Sequence, residues 1–553
     1  MLKLRIPKNV FRYATIGVFG FLFVLVLCTF RDYGVTWDEE LQSQYGIAVV
    51  DYYLSGFKDA RYSQIFNLYL YGGTFDGLAA LINFMTPFEI YDTRHLLNAL
   101  FGLMGLWGTW KLGKLLGGEE IGFLSLVICA LVPSFYGHIF NNPKDVPFAA
   151  GIVWTLYYMS RSYKKTEWPT LIKLGLVLGF TLGVRVGGIM VFAYWLAPLG
   201  IAALLPLFKR KFRWKTFWKN KKILRTVTLD ILCKAWRIVL PVALISYVVM
   251  LICWPWAQQH PIMYPLKALS KFSNFPQDVE VLFDGTIYRS TQLPWTYVPL
   301  YFGIQLPVFF QILLAFFAVF LPKIWRSMSF AQKQSLSLLL LTAVVPVLYC
   351  TMFHPALYDT VRHFLFVIPL ASIMAALGAR EIYIFGLKQK RLRKKRAKLA
   401  LKGAFGFVFL IVCSTQIVLM ARLHPYEYIY ANMFAGGVRE AYGHYESDYW
   451  TSSFKEAAEK LQAFVEKEGG VPAGKLYRVA ICGARSSATI YLPPNFRPVI
   501  ANEPAEFFLS TTRWMCQNMR PGKEIIRIER FGAPLSIVKD LRDGYAYYEG
   551  NRK

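Results

Sequence analysis

The 553 residues are 55% hydrophobic and 17% aromatic, with a mean hydropathy of +0.36. That composition excludes an ordinary water-soluble enzyme and points to a polytopic α-helical membrane protein. The formal net charge of +28 would suit nucleic acid, but its crowding into alternate loops makes it a signal of membrane orientation, and nucleic acid is set aside as a partner.

Apolar runs approaching or reaching bilayer length cover residues 13–30, 95–116, 121–136, 146–160, 171–184, 186–208, 238–254, 297–321, 335–353, 364–385 and 404–421, which predicts about eleven transmembrane helices. The first follows basic residues without a small-residue cleavage site and reads as an uncleaved signal anchor. Lys and Arg collect at 1–12, 111–120, 161–167, 209–237, 323–333 and 388–402, outnumbering those of the opposite loops roughly threefold. The runs at 209–211 and 391–396 read as anchors on anionic lipid. The positive-inside rule then puts the loop after the first run, the 141–145 loop, 253–295, 354–363 and everything after Arg422 on the outer face.

Within the first outer loop, residues 41–54 and 66–84 mix aromatic and aliphatic side chains with isolated charges and predict interfacial helices. The chain from 422 to 553 is soluble in composition and large enough for its own core, so domains of 1–421 and 422–553 are expected. An amphipathic helix is predicted at 454–468, strands at 476–482 and 497–500, and a hairpin over 524–539 turning near Gly532-Ala533-Pro534, together a small extracytoplasmic α/β domain. Cys482 and Cys516 share this tail and can pair in an oxidising compartment. The absence of an acceptor site for N-glycosylation favours a bacterial envelope.

The polar motifs gather on the outer side. Thr36-Trp37-Asp38-Glu39 follows the first run with no polar spacer, which suits a carboxylate poised to take a proton. It equally suits a helix start, with Thr36 as cap and acids in the first turn. His138, Asn142, Lys144 and Asp145 lie between two apolar runs, where charge is costly unless it faces a cavity. Asn141 capping the next helix, or Lys144 pairing with Asp145, would account for the same residues. Arg185, Arg362 and His363 are cations or potential cations on the poorly charged side; with Lys144, the two guanidinium forks suit the oxygens of a phosphodiester, and contact with phospholipid or with Asp38, Asp145 or Asp359 is the plainer alternative. The aromatic string from His424 and Tyr426 to Asn432, with Tyr449 and Trp450 beyond, suits either sugar stacking or a membrane belt. The histidines have no short spacing to acids, so no metal ligand is assigned and a divalent metal stays open.

At these residues the chain resembles the class C glycosyltransferases, particularly bacterial relatives of protein O-mannosyltransferases and the aminoarabinose transferase of lipid A. Thr36-Trp37-Asp38-Glu39, Asn142-Pro143-Lys144-Asp145, Val361-Arg362-His363-Phe364 and the string opening His424-Pro425-Tyr426 carry the resemblance. It implies transfer of a sugar from a polyprenyl-phosphate carrier to a lipid, glycan or protein acceptor at the outer face of a bacterial inner membrane. Asp38, Glu39 and Asp145 would be the catalytic acids, with Asp38 as base and Asp145 orienting the acceptor or helping to bind sugar. Lys144, Arg185 and Arg362 would hold the departing phosphate, and Trp37, His138, Asn142, His363, His424 and Tyr426 would contact substrate. The 253–295 loop is too short for the lumenal insert of eukaryotic protein mannosyltransferases, which leaves the acceptor open. A transporter or flippase of lipid-linked sugars is the alternative; it calls for charges along a path through the membrane and for internal repeats, and neither is visible.

Overall fold

The computed structural model describes residues 8–209, 235–273, 278–389 and 395–542. Parts of three of the basic runs that set the expected orientation, at 1–7, 210–234 and 390–394, lie outside the described residues. Among the described residues nine α-helices come first: α1 (Lys8–Thr29), α2 (Glu39–Leu54), α3 (Thr74–Asn83), α4 (Ile90–Gly117), α5 (Glu119–Ala130), α6 (Pro133–Asn141), α7 (Asp145–Ser162), α8 (Trp168–Val184) and α9 (Ile189–Lys209). Long helices follow at Val308–Ser327, Phe330–Phe353, Val367–Leu387 and Lys395–Leu423.

Each of the eleven apolar runs falls on helix, but only five helices among the described residues are long and apolar enough to cross a membrane, or six if α5 and α6 form one span. The shortfall has local causes. Helix α8 is 17 residues long, Leu240–Ile252 is 13, and α4 carries Asp92, Arg94, Lys111 and Lys114 along its length. Between α5 and α6 the axis turns by 72°. Val132, before a proline, is driven to extended backbone (φ −89°, ψ 107°) and Pro133 opens the next helix at a position where no donor is missed. The bend carries α6 and the 141–145 loop into the protein interior, where every residue from Pro133 to Pro147 is buried. Helices α2 and α3 occupy the stretches expected of the first loop.

The chain after Leu423 forms a five-stranded sheet in the order β4-β3-β5-β7-β6, from β3 (Tyr477–Cys482), β4 (Phe496–Ile500), β5 (Phe507–Thr511), β6 (Lys523–Arg530) and β7 (Ala533–Asp540). The β3, β4 and β5 strands run parallel; β7 is antiparallel to β5 and β6. Helix Phe454–Lys467 buries Phe454, Ala457, Ala458, Leu461 and Val465, the one-face spacing that packs a helix on a sheet, and Phe454, Ala457, Leu461 and Val465 share a core with Phe507, Leu509, Ile528 and Val538. The hairpin turns at Phe531-Gly532, both with positive φ. Strand β5, at the centre of the sheet, lacked a predicted counterpart, as did the hairpin β1 (Glu280–Phe283) and β2 (Thr286–Arg289), which turns on Asp284-Gly285. Cys482 and Cys516 are paired as a disulfide.

Two glycines bring the parts together. A Cβ at Gly34 would lie 2.0 Å from the Ser452 carbonyl oxygen, and one at Gly72 would lie 1.8 Å from that of Gly183. Only a residue without a side chain lets those backbones meet. The first contact docks the loop before Asp38 on the C-terminal domain, where Trp37 N–H donates to Trp450 O at 3.2 Å and Val35 N–H to Tyr491 Oη at 3.0 Å. The second sets Tyr71 beside Arg185.

Candidate active site

A cavity of about 390 Å³ lies between the helical part and the C-terminal domain. Of the residues expected from sequence, Trp37, Asp38, Asn142, Lys144, Asp145, Arg185, Arg362 and His363 line it. They arrive from four separate stretches: the start of α2, the α6–α7 loop, the end of α8, and the turn before helix Val367–Leu387.

Asp38 and Arg362 are the central pair. Arg362 Nη1 donates to Asp38 Oδ2 at 3.1 Å, and its Nη2 reaches Asp359 Oδ2 at 3.1 Å. The Asp38 side chain is 43% exposed, whereas those of Asp145 and Asp359 are 5% exposed. Asp38 is thus the cavity carboxylate open to an incoming group. Asp145 is enclosed: Arg185 Nη2 approaches Oδ1 at 2.6 Å and Asn142 Nδ2 donates to Oδ2 at 2.9 Å. The Asn142 side-chain Oδ1 accepts in turn from Asp145 N–H at 3.0 Å, closing a loop between the two residues.

Lys144 lies with Nζ 3.9 Å from the centroid of the Tyr71 ring, and Arg185 Cζ is 5.9 Å from the same centroid. Burial, opposed by Asp76 and Asp38, pushes the Lys144 ammonium down to about 8. Burial also pushes His363 well below its ordinary range, with Arg362 and Arg185 adding to the effect, so its imidazole is neutral. The Nε atoms of Arg185, Arg362 and Arg513 are buried and without an acceptor. Each of these three guanidinium groups thus keeps one enclosed donor unspent, while their charge lines a single cavity.

The C-terminal domain contributes Tyr449, Trp450, Arg513 and Trp514 to the lining. Arg513 Nη2 bridges Asp359 Oδ1 at 3.0 Å and Glu446 Oε1 at 2.7 Å, and Nη1 donates to Tyr449 O at 2.9 Å. Burial raises the Glu446 carboxyl although Arg513 draws it down. Arg362 and Arg513 therefore share Asp359, which sits in left-handed backbone (φ 55°), as does Thr360 (φ 64°). Two adjacent non-glycine residues there are held by their surroundings.

Four expected residues lie elsewhere. Glu39 does not line the cavity: it accepts from Thr36 N–H at 2.9 Å and Thr36 Oγ1 at 3.1 Å, with His95 Nε2 at 3.2 Å. It fastens the entry to α2, while Thr36 caps nothing and Asp38 occupies the N-cap without a capping bond. His138 is buried behind the lining, with Nδ1 3.2 Å from Asn142 Nδ2 and Nε2 3.1 Å from Tyr449 Oη. His424 joins Asp32 at 2.9 Å and Glu427 at 3.0 Å, and Tyr426 Oη donates to Glu456 at 2.9 Å with Arg530 4.7 Å from its ring centroid. Both mark where helix Lys395–Leu423 enters the C-terminal core, away from the cavity. Sequence reasoning left Tyr71, Tyr358, Asp359, Tyr449, Arg513 and Trp514 without assigned roles at this site. Only the Tyr449-Trp450 aromatic pair and Asp359 gave any signal. Among the described residues no group of three or more His, Cys, Asp or Glu is placed to hold a metal ion.

A family model described as dolichyl-phosphate-mannose-protein mannosyltransferase matches residues 91–236, a stretch that includes Lys144, Asp145 and Arg185 but neither Asp38 nor Arg362. The chain is thus similar to the class C glycosyltransferases that its motifs resemble. Among solved structures it is similar to ArnT from Cupriavidus metallidurans bound to undecaprenyl phosphate, at 11% identity and TM-score 0.44, covering 95% of this chain and 97% of that one. It is also similar to the apo oligosaccharyltransferase of Archaeoglobus fulgidus, at 13% identity and TM-score 0.43, covering 88% of this chain and 65% of that one. A third similar structure is the same archaeon's AglB with an inhibitory peptide and a dolichol-phosphate, at 14% identity and TM-score 0.43, covering 90% and 69%. A search of curated proteins finds no match.

Proposed function

We propose that this protein is an integral-membrane glycosyltransferase that moves a sugar from a polyprenyl-phosphate carrier to an acceptor at the outer face of the membrane, with Asp38 as general base. In this reading residues 1–421 form the membrane-embedded catalytic part, 422–553 an extracytoplasmic domain, and the membrane is a bacterial inner membrane with the site on its periplasmic side. The acceptor is a lipid, glycan or protein hydroxyl or amine. Support comes above all from one contrast: Asp38 keeps a 43% exposed carboxylate at a cavity whose other acids are enclosed, with Lys144, Arg185 and Arg362 on the same lining.

The acceptor group attacks the anomeric carbon as its proton passes to an Asp38 oxygen. The bond from that carbon to the phosphate oxygen breaks, and polyprenyl phosphate leaves. Arg362, bonded to Asp38 through Nη1, holds the base in place; a carboxylate so paired takes the proton only as it develops in the transition state. Lys144 and Arg185 offset the charge gathering on the leaving phosphate, in a setting where desolvated cations act strongly. Asp145 holds Arg185 at 2.6 Å and so sets where that charge is met.

The test is transfer by the purified full chain in lipid nanodiscs from undecaprenyl-phosphoryl sugars to an extracted envelope glycolipid fraction. Asp38→Asn is expected to abolish transfer while still binding undecaprenyl phosphate. Full transfer by that variant would remove Asp38 as the base.

A further inference from the structure

We propose that Trp514 of the C-terminal domain, together with Trp37, forms the seat for a glycosyl ring at the rim of the cavity, so that this domain is part of the substrate site. The proposal rests on the transferase reading above and adds the group that recognises the sugar.

Trp37 and Trp514 both line the cavity. Their rings stand 5.6 Å apart between centroids and nearly perpendicular, at 88°. Each remains 39% exposed, unlike Trp195 and Trp254, which are fully enclosed in the helical core. Trp37 directly precedes Asp38, so a ring against it lies beside the carboxylate that would act on the acceptor. The hydrogen-bonding group of Trp514 is already spent, since its Nε1–H donates to Glu280 O at 3.3 Å on β1. What that indole offers a ligand is aromatic surface, which suits the C–H face of a pyranose or furanose.

The segment that carries Trp514 is held firmly. Trp514 and Met515 both occupy left-handed backbone, with φ of 55° and 56°, a conformation that non-glycine residues keep only where the surroundings impose it. On one side Arg513 is fixed by Asp359 and Glu446, and its Cζ stands 4.6 Å from the Trp514 ring centroid. On the other, Cys516 is bonded to Cys482 at the end of β3. Trp37 is held in turn by its N–H to Trp450 O.

The neighbours decide between a sugar and an isoprenoid tail. Asp38, Gln42, Asn67 and Arg362 share the lining with the two indoles. An alkenyl chain laid there would strip water from these groups and return nothing, whereas a sugar presents hydroxyls to them and C–H faces to the rings. Either the donor sugar or a sugar of the acceptor has this chemistry.

The experiment compares wild type, Trp514→Ala, Trp514→Phe and Trp37→Ala as full chains in nanodiscs. The probes are undecaprenyl phosphate, its mannosyl, glucosyl and aminoarabinosyl esters, and the envelope glycolipid fraction as acceptor. If the ring belongs to the donor, Trp514→Ala weakens binding of at least one glycosyl ester about tenfold, leaves undecaprenyl phosphate unchanged, and Trp514→Phe restores most of the loss. If it belongs to the acceptor, the KM for the glycolipid rises about tenfold with kcat little altered, and donor binding holds. Equal losses for undecaprenyl phosphate and its glycosyl esters without a KM change, or no loss in either, overturns the proposal. Should Trp514→Ala misfold, Trp37→Ala decides by the same split. A wild-type protein that binds no undecaprenyl lipid overturns the transferase reading and this one together.

Discussion

The two walls of the cavity hold their arginines differently. On the helical wall Arg185 meets one carboxylate, Asp145, and its side chain is 23% exposed. On the wall supplied by the C-terminal domain Arg513 is 11% exposed and engaged by two carboxylates and a carbonyl. A guanidinium with one partner and a free edge can turn its remaining donors to a ligand phosphate. One enclosed by three acceptors is chiefly a clasp between parts of the chain. The same guanidinium chemistry is therefore left partly open on one side and given to assembly on the other.

The sharpest way to break this comparison starts at its centre. Asp38→Asn should lower transfer by about 10² to 10⁴-fold, measured as label moved from undecaprenyl-phosphoryl sugar, with the melting temperature little changed. Arg513→Ala comes next and acts on stability: it leaves Asp359 short of a partner and Glu446 uncompensated in a buried site, a loss of about 3–5 kcal/mol visible in thermal unfolding of the detergent-solubilised protein. Arg185→Ala should instead keep the fold and weaken undecaprenyl phosphate binding about 10- to 100-fold, read by titration. Equal thermal losses for the two arginine variants would erase the contrast.

A pH series sharpens the helical wall further. In the proposed role Lys144 meets phosphate as the ammonium, and burial has brought its pKa down to about 8, so its charge is lost as pH rises through that value. Affinity for undecaprenyl phosphate should fall up to about tenfold between pH 8 and 9.5, above the phosphate's second ionisation near about 6. Lys144→Arg should flatten that profile. The smallest effect is expected of Tyr71→Leu, which removes the ring 3.9 Å beneath Lys144 and should weaken the same binding by a factor of about two to five.

Much of the helical part was legible because its signal is local. A bilayer-length apolar run is read from consecutive residues, and all eleven such runs are helical, although their count as spans did not follow. Several are too short or carry charges, and α5–α6 breaks at Val132-Pro133. Asp38, Lys144, Asp145, Arg185 and Arg362 stood out because a charge beside or between apolar runs is costly unless it faces polar surroundings, and all five do line one cavity. The same reasoning also picked out Glu39 and His138, whose polarity meets hydrogen bonds within the fold, and His424 and Tyr426, which lie at the junction of the last long helix with the C-terminal core; none of the four lines the cavity.

By itself, then, the sequence determined which residues could not sit idle in an apolar setting, since desolvation penalises each charge wherever the chain goes. It did not determine their partners. Arg513 and Trp514 lie in a domain of soluble composition, where an arginine or a half-exposed tryptophan carries no local penalty. Asp359 owes its bond from Arg513 to a residue 154 positions on, and Tyr71 its cations to Lys144 and Arg185 from other helices. Only tertiary packing, with Gly34 against Ser452 and Gly72 against Gly183, brought the C-terminal domain and the end of α8 onto the first loop, and left Asp38 open while arginines closed Asp145 and Asp359.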